Sequence, residues 1–76
     1  MKDDLAIFAE NLRRISMNQG VKPTPLSMRA GLSSGSVSDY LNRRRVPKLH
    51  ALLALADALN VAPADLIRGC GADGDF

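Results

Sequence analysis

The chain has no tryptophan, one tyrosine, two phenylalanines, one cysteine and one histidine among its 76 residues. Each scarcity removes a class of structure or chemistry. A lone Cys70 excludes an intramolecular disulfide and a thiolate metal cluster built within one chain. His50 has no second histidine and no nearby cysteine to complete a ligand set, so no metal site is expected, and no cofactor either. No apolar run approaches the roughly 20 residues a membrane span needs, and the opening Met1-Lys2-Asp3-Asp4 lacks the pattern of a secretory leader, so a cytoplasmic protein is expected. Paired carboxylates, a nucleophile with its base and a phosphate-cradling glycine loop are all missing, which argues against an enzyme.

What remains is leucine, isoleucine, valine, alanine and methionine, a helix-forming palette, in a chain 46% hydrophobic. The length allows one domain with one modest core, and a deep pocket for a small molecule is not expected. The formal charge of +2 hides a segregation. Residues 11–56 hold Arg13, Arg14, Lys22, Arg29, Arg43, Arg44, Arg45 and Lys48 against Asp39 alone, a net +7, while the two ends together carry −5. The middle of the chain is therefore the candidate surface for a polyanion.

Periodicity predicts five helices. Leu5, Phe8, Leu12 and Ile15 share one face of a first helix over about 4–18, which Gly20 stops. Thr24 can cap, and Pro25 can open, a short second helix that ends at Gly31. Ser33 can cap a third helix over about 34–42, which carries Val37, Tyr40 and Leu41 but is weakened by Gly35 and its serines. After the basic Arg43-Arg44-Arg45 loop and Pro47, a fourth helix over about 48–59 presents Leu49, Leu52, Leu53, Ala56 and Leu59 as its stripe, with Asn60 as a left-handed cap. Pro63 opens a fifth helix with Leu66 and Ile67 inward, and the Gly- and Asp-rich residues 70–76 are expected to form a disordered tail. The domain is thus residues 1–69.

Short helix, glycine turn, short helix between Leu26 and Leu41 is the geometry that lets a second helix enter a DNA major groove while the first braces it. A small residue at Ser27 allows the two to approach, and Leu26, Leu32, Val37 and Tyr40 form the core beneath them. The segments Leu26-Ser27-Met28-Arg29-Ala30-Gly31-Leu32-Ser33, Val37-Ser38-Asp39-Tyr40-Leu41 and Leu49 to Val61, at their observed separation, resemble the phage repressor and Cro-like (XRE family) helix-turn-helix domains. The resemblance covers about residues 12–67. It implies an all-α, five-helix lambda-repressor-like bundle, a repressor-like transcriptional regulator, and double-stranded DNA as the partner.

By the same resemblance, base edges are read from Ser33, Ser34, Gly35 and, a turn later, Asp39, and backbone phosphates are held by Asn42, Arg43, Arg44 and Arg45. Ser36 joins the expected reading surface and Lys22 the phosphate contacts. Three adjacent arginines after a groove-entering helix suit a phosphate strand on physical grounds as well. The sequence departs from the family where a glutamine commonly opens the second helix, here Pro23. It departs again where a helix-one arginine often pairs with a glutamate, here Ser16 and Leu41. Short side chains on the reading surface leave direct readout thin, so water, DNA shape and arginine contacts are expected to share in specificity. A homodimer on DNA, formed through the fifth helix and the turn before it, would divide Val61, Leu66 and Ile67 between core and interface. The competing reading is a protein-interaction or RNA-binding module that keeps the fold.

Overall fold

The first helix, α1 (Asp4–Gln19), begins where the sequence supplies an acceptor for its orphan amides. The Asp3 carboxylate takes the N–H of Ala6 at 3.1 Å, and Asp4 adds negative charge to the first turn. In this computed structural model, which describes residues 3–71, four further helices follow: α2 (Pro23–Arg29), α3 (Ser36–Leu41), α4 (Leu49–Leu59) and α5 (Pro63–Ile67). No strand occurs among the described residues, and no helix is long and apolar enough to cross a membrane.

Two helix starts differ from expectation. Helix α2 opens at Pro23, two residues earlier than the Thr24 cap and Pro25 opening suggest. Lys22 is extended (ψ 160°), as a residue before proline prefers, and Pro23 and Pro25 fall in the first turn, where a missing N–H forfeits no helical bond. Helix α3 opens later, at Ser36, with Gly35 rather than Ser33 as its N-cap. Its six residues are what packing retains from a glycine- and serine-rich stretch of low propensity.

Helices α1 to α4 end alike. In each a left-handed residue follows the last turn: Gly20 (φ 68°), Gly31 (φ 73°), Arg43 (φ 58°) and Asn60 (φ 57°). The next residue's N–H reaches back to a carbonyl of the last turn, from Val21 to Ser16, Leu32 to Ser27, Arg44 to Asp39 and Val61 to Ala56, at 2.8–2.9 Å. Val21, Leu32 and Val61 then lie against the core.

That core is Phe8, Leu12 and Ile15 of α1, Leu26 of α2, Val37 and Tyr40 of α3, Ala51, Leu55, Ala56 and Leu59 of α4, and Leu66 of α5. The Phe8 and Tyr40 rings meet edge to face at a centroid distance of 6.2 Å. The α4 stripe is rotated from the expected one: Ala51 and Leu55 are buried, whereas Leu49 is 71% and Leu53 46% exposed. A helix so rich in leucine has more than one apolar face, and contact with α2, α1 and α5 selects among them. On α5, Leu66 is buried as expected, but Ile67 faces outward.

Polar side chains of α1 clasp the far end of the chain. The Asn11 amide donates to the carbonyls of Leu66 and Arg68, both at 2.9 Å, and the Gln19 amide to that of Leu59 at 2.7 Å. Cys70 and Gly71, expected to start the tail, continue this packing: the Cys70 thiol points to the Asp4 carbonyl and the Gly71 N–H to the Asp4 carboxylate at 3.1 Å. The rest of the expected tail, residues 72–76, lies outside the described residues. Asn11→Ala, which deletes both donors at the α5 terminus, is expected to lower the stability by about 1–2 kcal/mol. The shift of the urea midpoint at constant m-value measures it.

Candidate nucleic-acid interface

Helices α2 and α3 are joined through one hydroxyl. Ser27, fully buried, donates to the Pro23 carbonyl one turn back at 2.9 Å and accepts the Val37 N–H at 3.0 Å. Val37 lies in the first turn of α3, whose own N-cap, Gly35, has no side chain to offer. A serine on one helix thus caps the next, and the same bond sets how α3 leans on α2. The small side chain predicted to permit approach is in addition the bond that fixes it. A serine four residues beyond the Pro23 carbonyl is the only local trace of this role; the Val37 partner is visible only in three dimensions.

Ahead of α3, residues 33–35 form an exposed turn, closed by the Ser36 N–H on the Ser33 carbonyl at 3.0 Å. Ser33, Ser34 and Gly35 are therefore open to solvent together. Ser36 is not: it is 3% exposed, and its hydroxyl donates to the Ser33 hydroxyl at 3.3 Å. Its place on the expected reading surface is corrected by the late start of α3, which turns its side chain inward. Ser38 and Asn42 engage each other, the Asn42 amide donating to the Ser38 carbonyl at 2.9 Å. Asn42 thereby braces the end of α3.

Asp39 sits between the two expected roles. Its carboxylate, 29% exposed, lies 3.8 Å from the Arg44 guanidinium and 3.5 Å from that of Arg45. Such exposed pairs are worth about 0–1 kcal/mol, so they bias the loop without locking it. The Arg44 N–H on the Asp39 carbonyl, at 2.8 Å, adds a backbone tie. Lys22 lies apart from this cluster, at the start of α2.

The end of α3 breaks a pattern that the other three left-handed helix ends obey. Where Gly20, Gly31 and Asn60 take the left-handed position and an aliphatic follows, α3 has Arg43 in that position and Arg44 after it. A non-glycine residue other than asparagine held there costs about 1 kcal/mol or more. Backbone positions strained in this way cluster at functional sites. Arg43, Arg44 and Arg45 are all exposed.

Residues 7–68 match a protein-family model described as a helix-turn-helix domain. Among solved structures, the chain is similar to a hypothetical transcription factor from Neisseria, at 31% identity and a TM-score of 0.82, covering 86% of this chain and 75% of that one. It is similar to the restriction-modification controller protein C.AhdI from Aeromonas hydrophila, at 30% identity and a TM-score of 0.79, covering 83% and 96%. It is also similar to the P22 c2 repressor protein, solved in complex with a synthetic operator, at 25% identity and a TM-score of 0.75, covering 84% and 97%. No curated protein matches.

Ser27→Ala keeps the small volume but leaves the Val37 N–H buried without its acceptor. It is expected to destabilise the chain by about 1–3 kcal/mol, with the largest loss of amide-exchange protection in α3. Uniform loss of protection across all helices would show that the bond acts on the whole fold rather than on the α2–α3 angle.

Proposed function

The chain belongs to the helix-turn-helix domain family, and from that premise we propose that it is a repressor-like transcriptional regulator that binds duplex DNA in a sequence-specific manner. Helix α3 enters the major groove, and the loop of residues 42–45 lies along a phosphate strand. The observation that carries this reading is the left-handed Arg43 with exposed Arg44 and Arg45 behind it, a cationic loop held at the foot of α3 against local conformational preference. The P22 c2 repressor, similar in fold, binds an operator, which supports the same partner here.

In this reading Ser33, Ser34 and the Gly35 backbone present short donors and acceptors to base edges, while the buried Ser36 contributes only to the shape of the turn. Asp39 holds Arg44 and Arg45 until phosphate replaces it, leaving its carboxylate free to accept from a cytosine amino group. Arg43, Arg44, Arg45 and Lys22 supply the phosphate contacts, and Asn42 orients the loop. With so few long side chains at the reading surface, groove width and bridging water carry part of the specificity. The outward Ile67 and half-buried Val61 offer an apolar edge for a homodimer, and a two-fold dimer reads half-sites about 34 Å apart.

Selection from a randomised duplex library at about 150 mM salt tests the function: enrichment of a motif with two-fold symmetry is expected. Salt-sensitive background alone would shift the reading to RNA or an acidic protein. Arg43→Gly separates fold from function in one residue. Relief of the left-handed cost is expected to raise stability by about 0.5–1 kcal/mol, while loss of the guanidinium weakens binding to every duplex. A variant both more stable and equally tight would remove Arg43 from the interface.

A further inference from the structure

The basic residues divide by what they touch. Arg44 and Arg45 share Asp39, and Arg68 pairs with Asp65. Among the described residues, no ion pair involves Arg13, Arg14, Lys22, Arg29, Arg43 or Lys48, and of these Arg13, Lys22 and Arg43 stand together. These three, far apart in sequence, line two adjoining hollows on one side of the molecule. One, of about 310 Å³, lies between α1 and the start of α2 and is walled by Arg13, Lys22, Pro23 and Leu41. The other, of about 230 Å³, lies between α1 and the end of α3 and is walled by Arg13, Leu41, Arg43 and Glu10. Arg13 and Leu41 belong to both, so the hollows form one furrow with Lys22 toward one end and Arg43 toward the other.

We propose that this furrow seats a strand of the DNA sugar-phosphate backbone, with Arg13 as its central contact; the inference rests on the duplex-DNA reading above. Half-buried Leu41 borders both hollows beside Arg13, an apolar surface suited to the arginine methylenes, and Arg13 itself is exposed to the water. The Ser16 hydroxyl, donating to the Arg13 carbonyl at 3.2 Å, ties the α1 backbone beneath it. Cations strung along a groove suit successive phosphates of a polymer, whereas a single small anion needs them convergent on one point. Glu10 lies on the Arg43 side and sets the limit of the favourable path. The footprint therefore extends from the α3 loop across to α1, beyond the segment that carries the helix-turn-helix pattern.

The test is the salt dependence of binding by the full chain to the selected duplex and to a scrambled one, for the wild type, Arg13→Gln, Lys22→Gln, Arg43→Gln and Arg14→Gln. Arg13 is exposed, so the substitution spares the core. Arg14 serves as control because it borders a different hollow, with Asp65 and Arg68 between α1 and α5. Arg13→Gln and Lys22→Gln are each expected to reduce the log-log slope by about 0.9, equally on both duplexes, so a fourfold rise in salt weakens each variant about 3.5-fold less than the wild type. Arg14→Gln should leave the slope unchanged. A wild-type slope for Arg13→Gln beside a reduced one for Arg43→Gln would overturn the furrow and leave the DNA reading standing. Absence of salt-dependent duplex binding by the wild type would overturn both.

Discussion

The relation between α2 and α3 depends on a single buried hydroxyl. Ser27 is satisfied on both sides, donating to Pro23 and accepting from Val37, so its burial costs nothing in unpaired polar groups. Helix α3 cannot hold its own position: it is six residues long, begins at a glycine and has no cap of its own. Its order is borrowed from the Ser27 bond at its start, from Val37 and Tyr40 in the core, and from the left-handed turn at its end. An element that must present a defined face to a partner is thereby held at three points by its surroundings.

Helix α1 plays the complementary part. Its apolar face supplies Phe8, Leu12 and Ile15 to the core, and its polar flank reaches the carbonyls at the ends of α4 and α5. Those carbonyls are the acceptors a helix terminus leaves unpaired, so Asn11 and Gln19 act as C-caps supplied from another element. The result is a scaffold in which side chains of α1 tie down the ends of α4 and α5, and on which the helix-turn-helix and its basic loop are carried.

Within the proposed interface, Asp39 and Arg43 describe opposite strategies. Asp39 draws two arginines toward α3 by weak, exposed ion pairs that a phosphate can replace. Arg43 is held by backbone conformation alone, at a position where a glycine would be less strained. The one gives a loop that adapts, the other a cation whose backbone is set at the foot of the helix. Under the proposed function, both serve to seat a duplex on a surface poor in long base-reading side chains.

The sequence by itself determined the all-helical class, the helix stops at Gly20 and Gly31, the left-handed cap at Asn60, the pairing of α2 with α3, and the basic loop, because each depends on residues within a few positions of one another. The resemblance of the segments from Leu26 to Val61 to repressor domains was legible for the same reason. Tertiary structure alone decided which face of leucine-rich α4 is buried, since periodicity cannot choose between two apolar faces of one helix. It decided that α3 begins at Ser36 and turns that serine inward, because propensity there is too low to set a boundary without Ser27. It also decided that Arg13, Lys22 and Arg43 line one furrow. Contacts between elements distant in sequence are set by how the helices pack, and no local pattern records that.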